Sequence, residues 1–82
     1  MKPRKQELGN KNLIGHKITM LRLERNIKQK DLLAKLQTRG IDINPSSLSK
    51  LEGQVRPVTD IELKALADIF NISYEELLDD TY

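Results

Sequence analysis

Apolar residues recur along this chain at intervals of three and four in five separate blocks, and no segment reads as a strand. Ile14, Ile18 and Leu21 predict a helix over about 13–25, with Asn26 as its stop. Leu32, Leu33 and Leu36 predict a second over about 29–39, ended by Gly40 in the left-handed position of a cap. The third, over about 44–53, takes Asn44 as N-cap and Pro45 at the first helical position, where its missing N–H costs nothing; Leu48 and Leu51 turn inward. Thr59 with Glu62, and Ser73 with Glu76, have the spacing of a capping box, in which hydroxyl and carboxylate each satisfy one backbone donor. They open a fourth helix, with Leu63, Leu66, Ala67 and Phe70 on one face, and a fifth with Tyr74, Leu77 and Leu78. The pattern predicts an all-α, five-helix domain over 13–82, preceded by a polar, unpatterned basic arm over 1–12 that is expected to be flexible.

Composition narrows the function. A chain of 82 residues supports one small core that buries about 60% of the unfolded surface, with little room for an elaborate internal active site. There is no cysteine, so neither a disulfide framework nor a thiolate zinc site is available. No apolar run approaches the ~20 residues that span a bilayer, and the start MKPRKQELGNKN lacks the hydrophobic segment of a signal peptide. A cytoplasmic protein without a membrane association is expected. His16 is the only histidine and has no nucleophile or paired carboxylate beside it; Asp79 and Asp80 read as a solvated end rather than a metal site, and no phosphate-cradling glycine motif is present. Neither catalysis, nor a metal, cofactor or small-molecule effector is expected.

The formal charge of +2 conceals a separation. Residues 1–58 hold thirteen Lys or Arg against five Asp or Glu, a balance of +8, whereas residues 59–82 hold one lysine against seven carboxylates, a balance of −6. The basic part attracts a polyanion and the acidic part stays clear of one, although two oppositely charged solvated faces give the same arithmetic. Within the basic part, the third helix leaves Pro45, Ser46, Ser49 and Lys50 for the outside.

Taken in order, these residues resemble the lambda-repressor-like helix-turn-helix domain of the Cro and phage-repressor type, the XRE family, over Ile14 to Leu78. Ile14-Gly15 opens helix one and Arg22 stands where the family has an arginine. Gln29 with Leu32, Leu33 and Ala34 is similar to its Gln-x-x-Leu-x-Ala segment, and Leu48, Leu51 and Glu52 to its Ile-x-x-Ile-Glu ending of helix three. Thr59 to Leu66, then Ala67 to Phe70, Ile72 and the Glu-Leu-Leu at 76–78, resemble its closing helix pair.

The resemblance implies that helix three is the recognition helix, laid in the major groove of double-stranded DNA while helix two crosses the backbone. Small hydroxyls allow close approach, and a carboxylate there would repel the duplex. Ser46, Ser49 and Lys50 are then the candidates for base edges; Gln29, Ser47, the amide of Asn44 and Arg56 are the candidates for the DNA backbone. The resemblance also implies that Arg22 and Glu52 form an internal salt bridge, a matter of architecture. A small regulator, most simply a repressor, follows from it; two modules read two half-sites, which is the reason to expect a homodimer, with weak pairing through helix five, pairing only on DNA and a monomer as the open alternatives.

Three departures from the family pattern stand out. The connection between helices two and three, around Gln37 to Ile43, is longer than a minimal turn, with Ile41 and Ile43 expected to pin it to the core. Gln54 stands where a glycine usually ends helix three, with Gly53 before it, which moves the expected cap by one residue. Lys28 replaces the usual Ser or Thr before helix two, a poor cap at the positive end of a helix dipole. The rival reading is a protein-binding or antitoxin-type module on the same scaffold, served by an apolar patch of Tyr74, Leu78 and Tyr82.

Overall fold

The computed structural model describes residues 9–79, and among them every regular element is a helix: α1 (Gly15–Glu24), α2 (Gln29–Thr38), α3 (Pro45–Glu52), α4 (Asp60–Phe70) and α5 (Tyr74–Leu78). The caps expected from local chemistry form. Asn44 accepts from Ser47 N with Pro45 at the first position of α3, and Thr59 and Glu62 close a reciprocal capping box at α4. At α5 only the hydroxyl half of the box forms, Ser73 accepting from Glu76 N. The predicted apolar stripes converge on one core, in which Ile18, Leu32, Leu36, Leu48, Leu51, Leu66, Phe70 and Leu77 are fully enclosed.

Between α2 and α3 the extra residues form a loop, and α2 is not lengthened. Ile41 and Ile43 bury into the core, Gly40 takes a left-handed φ of +82°, and Gln37 Nε2 donates to Ile43 O at 3.0 Å. Arg39, at the head of the loop, pairs with Asp68 at 3.0 Å on the surface of α4.

The end of α3 departs from expectation. Gly53 keeps an ordinary φ of −81°, and it is Gln54, with φ 59°, that adopts the left-handed conformation, so the cap is not shifted. Gln54 N donates to Leu51 O and Val55 N to Lys50 O, the bond pair of a Schellman motif. A non-glycine residue in this conformation costs about 1–2 kcal/mol, and the side chain of Gln54 supplies the compensation. Its Oε1 accepts from His16 N, and its Nε2 donates to Asn12 O and Gly9 O.

Residues 1–8 of the expected arm, like Asp80 and Tyr82, lie outside the described residues. From Gly9 onward the chain is tied down: Gly9 N donates to Gly53 O and Lys11 N to Gln54 O, each at 2.9 Å. Asn12 then stitches two helix ends. Its Oδ1 accepts from Ile14 N and Gly15 N at the start of α1, and its Nδ2 donates to Leu51 O and Arg56 O at the end of α3. Gly15 permits this approach, because a Cβ there would run into the carbonyl oxygens of Leu51 and Glu52.

Candidate nucleic-acid interface

The outward face of α3 is made of small polar groups and one cation. Ser46, Ser49 and Lys50 are exposed, Ser47 is half-buried, and Asn44 and Pro45 are exposed at the helix start. The one carboxylate of the helix, Glu52, points the other way and is only 7% exposed. Four donors fill it. Oε1 accepts from Thr19 Oγ1, Arg22 Nη2 and Gln29 Nε2, and Oε2 accepts from Arg22 Nε at 3.0 Å. The expected Arg22–Glu52 pair is thus a two-pronged bridge between α1 and α3, and Arg22 Nη1 also donates to Ile27 O ahead of α2. The one negative charge of α3 is thereby paired inside the fold and is absent from the outward face of the helix.

Gln29 opens α2 and reaches across to α3, with its Nε2 on Glu52 at 3.2 Å and its Oε1 accepting from Ser49 Oγ at 3.3 Å. Gln29, expected at the DNA backbone, thus also bridges α2 and α3 within the fold. The N-terminus of α2 has no side-chain cap, since Lys28 stands at the N-cap, and Lys28 and Lys30 are exposed beside it. The first amides of the helix and two ammonium groups therefore lie together at the positive end of its dipole, with the exposed Asp31 carboxylate in the same turn offsetting one of the two positive charges.

Arg56 is placed differently from expectation. Instead of reaching outward, its guanidinium is consumed within the fold, Nη1 and Nη2 holding both oxygens of Glu62 at 3.0 and 2.9 Å. Nε donates to Ser47 O and Nη1 also to Pro57 O. Burial alone would raise the Glu62 carboxyl, yet hydrogen bonds from Arg56 and from Thr59, together with the Arg56 charge, hold it below the usual carboxylate range. Arg56 thus fastens the middle of α3 to the start of α4. The sequence shows Glu62 as the acceptor of a capping box but not its pairing with Arg56, and Asn12, three positions before α1, is of a residue type that favours helix N-termini.

A model of the Cro/C1-type helix-turn-helix DNA-binding domain matches residues 17–81. The chain belongs to that family. No curated protein and no solved structure matches it. Membership in the Cro/C1 family agrees with the all-helical architecture and supports DNA binding and, with it, transcription regulation. Among the described residues no helix is long and apolar enough to cross a membrane.

Away from α3 lies a surface of another kind. Leu13, Ile61, Tyr74 and Leu78 are exposed. They line two shallow grooves that share Asp60 and Leu63, one continuing through Ile61, Lys64 and Tyr74 and the other through Lys11, Leu13, Val58 and Leu78. Neither groove includes a residue of α2 or α3.

Proposed function

We propose that this Cro/C1-type domain is a small cytoplasmic, sequence-specific regulator that lays α3 in the major groove, and that it represses by occupying a promoter and excluding polymerase. The observation that supports this reading best is the inward turn of Glu52, the one carboxylate of α3, which leaves a surface of hydroxyls and one ammonium group. Ser46, Ser49 and Lys50 meet base edges, with Lys50 suited to the acceptors of guanine. The uncapped start of α2, with Gln29, Lys28 and Lys30, sits on phosphates, and Ser47 and the amide of Asn44 lie near the same strand. Arg56 supports this face from behind. The test is selection from a random duplex library, followed by anisotropy titrations at two salt concentrations. An enriched site, weakened by Lys50→Ala in a folded protein, with a log–log salt slope near −0.9 times about four to six phosphates, supports the reading. Weak, wholly salt-sensitive binding with no enriched sequence contradicts it.

The apolar surface favours pairing of two copies. Asp60, Lys64 and Lys11 rim the same grooves, and a two-fold arrangement that sets Asp60 of one copy beside a lysine of the other, twice over, joins opposite charges around the apolar floors. Two modules so joined read half-sites about 34–36 Å apart, and their contacts add. Sedimentation with and without the selected duplex tests this: a two-to-one complex on a palindrome, lost in Tyr74→Glu, is the expected result. A one-to-one complex would leave the surface to the rival protein-binding role.

A further inference from the structure

Serine is ordinarily the least informative residue at a base edge, because its hydroxyl rotates to donate or to accept. At position 49 the surroundings remove that freedom. A carboxylate only accepts, so the end of the Gln29 amide that lies 3.2 Å from Glu52 is its nitrogen. The other end of the amide is then its oxygen, which also only accepts, and it lies 3.3 Å from Ser49 Oγ. The hydroxyl proton of Ser49 is drawn to that oxygen, and its lone pairs are left facing outward. Polarity set by the Arg22–Glu52 bridge is passed through one amide to one surface hydroxyl. Ser46, exposed on the same helix, has no such partner among the described residues and keeps both roles.

We propose that Ser49 reads DNA as an acceptor only, selecting an exocyclic amino group, N6 of adenine or N4 of cytosine, and rejecting the oxo groups of guanine and thymine at one position of the site. Gln29 is the positioning residue that sets this preference. The inference rests on the reading of α3 as the groove-facing helix, and it gives that reading a directional base preference where an unconstrained serine gives none.

The experiment uses the full chain and its selected duplex. Affinities are measured for every base at every position, and for a base analogue that lacks only the amino group at the preferred one, with wild type, Ser49→Ala and Gln29→Met. Wild type is expected to favour the amino-bearing base at one position by about threefold to tenfold, the worth of one hydrogen bond, and to lose that factor with the analogue. Ser49→Ala is expected to be flat at that position alone, and in Gln29→Met the released hydroxyl lets guanine or thymine gain there while other positions keep their preferences. Should Gln29→Met fold poorly, the comparison of Ser49→Ala with the analogue decides by itself. A Ser49-dependent preference for guanine or thymine overturns the inference, and so does tight, selective binding that Ser49→Ala leaves unchanged at every position. A wild-type protein that selects no duplex at all overturns the DNA-binding reading first, and is seen before any variant is made.

Discussion

On one helix, Ser46 and Lys50 face solvent without a protein partner among the described residues, while Glu52 is enclosed by four donors drawn from α1 and α2. Beyond Glu52, the helix end is stitched by Asn12, Gln54 and the backbone of Gly9 and Lys11. The difference shows how a domain of this size holds an exposed helix face still. An exposed helix of eight residues is too short to be stable by itself, so its geometry is fixed at the buried end, and the exposed end is left free to meet another molecule.

Breaking the buried end should have the largest effect. Glu52→Ala removes the carboxylate that Arg22, Thr19 and Gln29 share, leaving the half-buried Arg22 charge uncompensated, and is expected to cost about 3 kcal/mol in denaturant melts; DNA binding should fall only in proportion to the folded fraction. Gln54→Gly tests the helix end more finely. Glycine relieves a left-handed backbone, a gain of about 1 kcal/mol, but three side-chain hydrogen bonds worth about 1 kcal/mol each are lost. A net destabilisation of about 1–2 kcal/mol is expected; a stabilised variant would show that the side-chain bonds contribute little.

Acid probes the link between α3 and α4. The Glu62 carboxyl is held below its ordinary value of 4.5, so its contribution to stability is fully present above that value and is lost as pH falls through the lower, folded value. The stability difference between wild type and Glu62→Gln should therefore be constant near neutrality and shrink under acid conditions. Melting temperatures across pH 3–7 check the sign, and a difference that grows on acidification would contradict it. The smallest effect on stability is expected at the exposed end: Lys50→Ala should change it by less than about 0.5 kcal/mol while weakening binding to the selected duplex.

Much of this contrast was legible in the order of residues, because its causes are local. Asn44 before Pro45, Thr59 before Glu62 and the leucines of α2 and α3 lie within one or two turns of what they act on, and each forms the predicted element or cap. The misreadings share the opposite feature. Gln54 looked like a displaced glycine because its partners, Gly9, Asn12 and His16, lie about forty residues away and no helical period connects them. For the same reason residues 9–12 read as part of a free arm. Arg56 reads as an outward cation because charge says nothing of direction until the Glu62 capping box is placed beside α3, near the Ser47 carbonyl. The bond from Ser49 to Gln29 was hidden likewise: the residues are twenty apart and meet only once α2 and α3 are packed.

The central claim, that the exposed half of α3 meets DNA while its buried end stays fixed, is tested most directly by mapping amide chemical-shift changes in isotopically labelled protein on titration with the selected duplex. The account predicts the largest changes from Asn44 to Lys50 and at the start of α2, with Asn12 to His16 and Leu51 to Gln54 nearly unmoved. Changes centred instead on Ile61, Leu63 and Tyr74, with α3 silent, would contradict it.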